Sequence, residues 1–385
     1  MKYNKALLVF STLLAAIVVS CSKDVIPSET TSKDKNLAGV NVAVGETSGP
    51  FHKLFVLNEG KMGTNNASLD FFRFSDGMYV RNAFHQMNPD QVLGLGDIGN
   101  DIAVYNNLLW LSINNSGLLE IVNPEDETHV ATIRIPSPRK ITFYEKYAYV
   151  TSYSGAYYGG PDRLGSVYKI STETFEVTDS LQVGYQPEGI VANGGMLYVA
   201  NSGGLKSDYS YDNRVSVIDI STFKLVKEFR TVKNIQNIIV SGNTLWLNTY
   251  GDYVTTQSGV WQVDLKSGNL TQGGELSKVR SSCGFISAGN MIYTIENVYS
   301  ADYSVSENKL YTINMDNGRV SSRTLDKRIK IAYGLYVNPS NGDIYIGDAI
   351  DYVNPGKVYC LDSDLNIKWS AVAGVDPAHF ALWER

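Results

Sequence analysis

A chain of 385 residues with 39 acidic and 33 basic side chains carries a net charge of −6. That balance excludes the basic footprint a nucleic-acid partner requires. With three cysteines in all, it also excludes a disulfide-built scaffold.

The N-terminus reads as a secretion signal over 1–20. Lys2 and Lys5 precede an apolar stretch at 6–19, the length of a signal core and short for a membrane span. Ser20 leads into Cys21, and VVSC at 18–21 resembles a bacterial lipobox, which makes Cys21 the expected lipidation site. Residues 21–50 are rich in Ser, Thr, Lys, Asp and Gly and hold no aromatic residue before 51, so they read as a flexible tether. The two remaining cysteines, Cys283 and Cys360, read as small buried hydrophobes rather than a bridge.

Residues 51–385 repeat one phrase: a short apolar strand, a tight polar turn, then an apolar–aromatic–apolar strand. It reads NDIAVYNNLLWLS, RKITFYEKYAYVT, EGIVANGGMLYVA, QNIIVSGNTLWLN, CGFISAGNMIYTI and YGLYVNPSNGDIYIG. The aromatic anchors are Trp110, Tyr149, Tyr198, Trp246, Tyr293 and Tyr345. A second hairpin follows each, as in VYKISTETFEVTDSL and VWQVDLKSGNLTQG, giving four strands per unit. That period and strand count predict propeller blades. The ends supply the seventh blade. HKLFVLNEG near residue 52 matches a second strand with no first, and DPAHFALWER at the C-terminus matches a first strand with no second. The predicted fold is therefore an all-β, seven-bladed β-propeller, closed by pairing of the C-terminal strand with the N-terminal blade. The tether then enters on the face of the tight turns.

Enzyme signatures are scarce. The pattern G-x-G-x-x-G at 94–99 falls in a blade connector, without the helix that dinucleotide binding needs. The histidines at 52, 85, 129 and 379 are scattered, and only His379 falls where the central channel opens. Repeat alignment places paired positions around that mouth: Asn100 and Asp101, Arg139 and Lys140, Glu188 and Gly189, Gln236 and Asn237, Cys283 and Gly284, Tyr333 and Gly334, Ala378 and His379. Two carboxylates facing Arg139 and Lys140 make a poor cation cage. The expectation is a protein that is not an enzyme and has no catalytic residue, no metal and no cofactor of its own.

The loops between second and third strands are long and varied, the usual place for function on a rigid scaffold. Ten of the 25 tyrosines fall there: Tyr153, Tyr157, Tyr158, Tyr209, Tyr211, Tyr250, Tyr253, Tyr299, Tyr303 and Tyr352. Tyrosine among Ser, Gly and Asn gives broad contact at low entropic cost. With Asn201, Arg139, Glu188 and His379 they form the candidate ligand-binding set. On residues alone, corrinoids, oligosaccharides and a protein partner all fit.

Asn58, Glu59 and Gly60, the NNASL at 65–69, and PEGI at 187–190 with LYVAN at 197–201 carry a resemblance. Together they resemble the YncE-like propeller lipoproteins, in particular BtuG-type surface proteins that capture cobalamin. That resemblance implies a lipid-anchored outer-membrane protein facing the cell exterior. It would bind a corrinoid (vitamin B12 or an analogue) on its loop face and pass it to a TonB-dependent outer-membrane barrel. It would be a monomer apart from that transporter. The alternatives are a surface glycan-binding or protein-scaffold propeller and, further off, a lactonase-like hydrolase.

Overall fold

A computed structural model describes residues 39–41, 51–155, 162–252 and 254–384. Seven antiparallel sheets are formed, each ordered from an inner strand outward. The inner strands of blades 2 to 7 are Gly99–Tyr105, Pro138–Tyr144, Pro187–Asn193, Ile235–Ser241, Cys283–Ala288 and Ala332–Val337. Blade 1 takes its inner strand, Pro377–Glu384, from the far end of the chain, paired against Phe51–Asn58. Phe380 faces Val56 and Ala381 faces Phe55 in that register. The expected closure is present.

The turns follow from their residues. Both Asn106 and Asn107 have positive φ, as do Gly194 and Gly195, the left-handed pair that a two-residue hairpin requires. Proline opens three inner strands, at 138, 187 and 377, where no ladder donor is missed. These prolines seat closely on the preceding blade. A Cβ at Gly347 would lie 1.8 Å from the Pro377 carbonyl oxygen, so only glycine fits there.

Seven apolar clusters form among the described residues, and each straddles two neighbouring blades. Every anchor points into the cluster shared with the following blade. Phe55 packs towards blade 2, Trp110 towards blade 3, Tyr149 towards blade 4, Tyr198 towards blade 5 and Trp246 towards blade 6. Tyr293 lies partly buried against blade 7, and Tyr345 completes the circle against blade 1. Cys283 and Cys360 are buried free thiols.

One feature departs from expectation. Within the stretch read as tether, Gly39–Asn41 adds a fifth strand to blade 1, antiparallel to Met78–Val80. Gly39 lies opposite Val80, which puts the first residue of this strand at the loop-face end of the blade. The rest of the signal and tether, including Cys21, lies outside the described residues.

Deleting residues 376–385 removes an inner strand and opens two interblade clusters. Circular dichroism should then show no cooperative melt. Trp110→Ala should remain folded and lose about 3–5 kcal/mol in denaturant titration. A deletion variant melting cooperatively near the parent temperature would contradict this closure.

Candidate functional site

All seven inner strands carry a register shift where they begin, at the channel mouth. Each shift sets an extra residue against the second strand, as a β-bulge does, and such bulges re-aim side chains. Here they turn the paired positions towards the axis. Every predicted mouth residue except Gly189 and Gly334 lines one cavity of about 680 Å³.

The cavity has two unlike walls. All its charged and histidine side chains, Glu59, Asp101, Arg139, Lys140, Glu188 and His379, come from blades 1 to 4. All its tyrosines, Tyr250, Tyr299, Tyr333, Tyr336 and Tyr352, come from blades 5 to 7, together with Phe285 and Leu335.

The charges are held in pairs between blades. Arg139 Nε and Nη2 donate to Glu188 at 2.9 and 3.2 Å, a two-point pairing of blades 3 and 4. The guanidinium also lies 4.9 Å above the Tyr153 ring, and Tyr153 donates its hydroxyl to Glu188. Lys140 Nζ donates to the Asn100 carbonyl at 2.6 Å and lies 3.6 Å from Asp101. Glu59, which the sequence reading left out of its site, accepts from Tyr333 Oη at 2.6 Å and lies 3.1 Å from His379 Nε2.

Burial raises the Glu59 carboxyl, but the hydrogen bonds from His379 and Tyr333, with nearby positive charge, more than offset it and leave it below its ordinary value. Burial and the neighbouring Lys140 depress His379, outweighing Glu59 and Asp101, so the ring favours its neutral form. Burial pushes the Cys283 thiol up to about 12, which leaves it protonated and unreactive. Among the described residues no three His, Cys, Asp or Glu side chains converge on a metal position.

Six of the candidate ligand residues meet in this cavity: Arg139, Glu188, His379, Tyr250, Tyr299 and Tyr352. Tyr299 and Tyr352 remain 55% and 42% exposed at the rim. Tyr153 is buried beneath Arg139 and supports the wall. Tyr209 and Tyr303 are exposed loop tips that do not line the cavity, and Tyr211 is half-buried outside it. Asn201 is a correction. It is fully buried, accepting from Gly184 N at 2.9 Å and donating to Arg214 O at 2.9 Å and Ser216 Oγ at 3.1 Å, so it braces strands. Tyr157, Tyr158 and Tyr253 lie outside the described residues.

Fold and site together define a seven-bladed propeller with an occupiable channel mouth, and comparison with solved structures supports the fold. The chain is similar to hydrazine synthase from Kuenenia stuttgartiensis, at TM-score 0.60 and 18% identity over 74% of this chain and 89% of that one. It is also similar to apo AztD from Citrobacter koseri, at TM-score 0.50 and 12% identity over 86% and 97%. The WD40 domain of Neurospora crassa Pan2 matches at TM-score 0.50 and 14% identity over 73% and 81%. No family model matches the chain, and no curated protein matches it.

Next to Glu59, buried Asp376 has an oxygen without a partner. Burial, then the Glu59 and Asp351 charges, push its carboxyl up to about 7. A raised folded pKa gives stability that is full below the unfolded value and is lost as pH rises through about 7. Asn also tolerates the left-handed backbone there, φ 53°. Thermal melts from about pH 6 to pH 8 should therefore show the parent losing stability relative to Asp376→Asn. A difference independent of pH would refute the assignment.

Proposed function

We propose that this chain is a ligand-capturing propeller that holds a corrinoid at the mouth of its central channel. The two-walled cavity carries the reading. A corrinoid has a broad planar face and a rim of amide side chains. The tyrosine wall suits the face, and the paired charges of blades 1 to 4 suit amides, which need both donors and acceptors. The cavity volume of about 680 Å³ falls within the usual range for small-molecule sites, about 300–1,000 Å³. Because Arg139, Lys140 and Glu188 are already paired, the site offers polarity without a bare charge to an uncharged ligand.

In this reading the chain binds and releases its ligand without turning it over. The lipobox-like sequence at Cys21 supports the other half of the proposal: an outer-membrane anchor, with handover to a TonB-dependent barrel. Cys21→Ser should abolish labelling by a palmitate analogue and shift the protein out of the membrane fraction. Labelling that persists would remove the anchor from the proposal.

Calorimetry with cyanocobalamin and cobinamide tests the ligand directly. Saturable binding is expected, and ligand at 100 times its dissociation constant should add about 2.7 kcal/mol to stability. Tyr299→Ala and Tyr352→Ala should each weaken binding about tenfold, as aromatic contacts that a ligand covers do. Tyr209→Ala and Tyr303→Ala should leave it unchanged. No heat and no thermal shift with either corrinoid would sink the reading.

A further inference from the structure

A second cavity, of about 530 Å³, shares no lining residue with the channel mouth. It lies on blade 1 where that blade meets blade 7. Its walls come from the loop at 65–68, the connector after Val80, and Pro355, Gly374 and Val375 of blade 7. The connector runs from 81 to 98 and includes the short helix Ala83–Met87.

Two polar groups here lack partners. Arg81 is half-buried; its Nε is enclosed without a hydrogen bond, and its guanidinium forms no ion pair or hydrogen bond among the described residues. Gln86 donates from Nε2 to the Arg81 carbonyl at 2.6 Å, which fixes the orientation of its amide. Its Oε1 is then a buried acceptor with nothing donating to it.

Asp70 attracts Arg81 through its charge but makes no ion pair or hydrogen bond with it. Asp70 is fully committed: Oδ1 accepts from Asn82 N at 2.8 Å, and Oδ2 accepts from Tyr79 Oη at 3.1 Å and Gly374 N at 3.0 Å. Burial raises its carboxyl, and its hydrogen bonds and the Arg81 charge only partly offset this. Leaving an enclosed donor and an enclosed acceptor unpaired in one cavity is costly unless something supplies both partners. In the same lining, Val92 and Leu93 are apolar and 86% and 76% exposed. Asn65 Nδ2 holds that segment in place by donating to Leu93 O at 2.7 Å.

The geometry points to a second ligand site in this cavity for a hydroxylated organic oxyanion, of which a sugar acid such as a hexuronate is the type. The anion pairs with the Arg81 guanidinium, which matches a carboxylate at two points. A hydroxyl donates to Gln86 Oε1, and the carbon face of the ligand lies against Val92 and Leu93. This site depends on no residue of the channel mouth, so it stands or falls separately from corrinoid binding.

The test titrates full-length protein with glucuronate, with glucose and inorganic phosphate as controls, and follows binding by calorimetry and thermal shift. Glucuronate should saturate and should bind more tightly than either control. Arg81→Gln should weaken it tenfold or more, about the loss expected for a charged hydrogen-bonded pair. Gln86→Leu should weaken it less. Arg81→Gln should melt no lower than the parent without ligand, and both variants should keep the parent's response to cyanocobalamin. Glucose binding as tightly as glucuronate would overturn the role of the anion. Phosphate binding as tightly would overturn the role of the hydroxyl. The absence of saturable glucuronate binding, or binding unaffected by Arg81→Gln, would overturn the site.

Discussion

The core of this protein lies between its blades rather than within them, and everything else depends on that. A four-stranded sheet has two apolar faces, and each of the seven clusters is built from facing sides of neighbouring blades. No blade can bury its anchor alone. Trp110 is enclosed because the next blade covers it, with the Phe143 and Phe175 rings against its own. An open ring would leave two such faces in water and one unpaired inner edge, an aggregation hazard. Pairing of Pro377–Glu384 with Phe51–Asn58 removes both liabilities at once.

The same ring constraint makes the site. Seven inner strands converge on one axis, so whatever their first residues present is collected into a single cavity. The register shift at each mouth turns those residues inward. Charges so crowded must be matched, and they are matched across blade boundaries: Arg139 with Glu188, Lys140 with Asp101, and Tyr333 with Glu59. The groups that line the cavity therefore also lock neighbouring blades together. Such a site is preorganised, since its side chains need not be ordered when a ligand arrives.

Most of the fold was legible because the repeat spells it out. The spacing from Ile102 to Trp110 recurs in later blades because the strand lengths and a two-residue turn fix it. The mouth ring followed by alignment, and only two glycines in it fail to line the cavity. The loops were harder. Composition identified the tyrosines as a group, but Tyr250 lines the cavity while Tyr303 stands 84% exposed away from it, and nothing local separates them. Glu59 was missed because it follows a second strand, outside the inner-strand positions, although the Asn58-Glu59-Gly60 motif was visible. Asn201 misled for the opposite reason. A polar residue ending an apolar strand looks presented, yet its amide satisfies two groups of its own blade and the Gly184 N–H of the preceding one.

One fastening of the ring lies at the end of the molecule away from the channel mouth. On the tight-turn face, Lys53 is 7% exposed and donates to Pro124 O at 3.0 Å, Glu125 O at 2.6 Å and Glu127 at 2.7 Å. It also lies 4.7 Å from the Phe71 ring. Trp383, from the closing strand, donates to Asn107 at 2.6 Å on the same face. An enclosed lysine is tolerable only when its ammonium is satisfied, and here three oxygens and an aromatic face satisfy it. These contacts fasten blade 1 to blade 2 without using any residue of the channel mouth. Counted as a whole, the ring is fastened on both faces, by the mouth pairs on one and by this latch on the other; the latch itself needs none of the mouth residues.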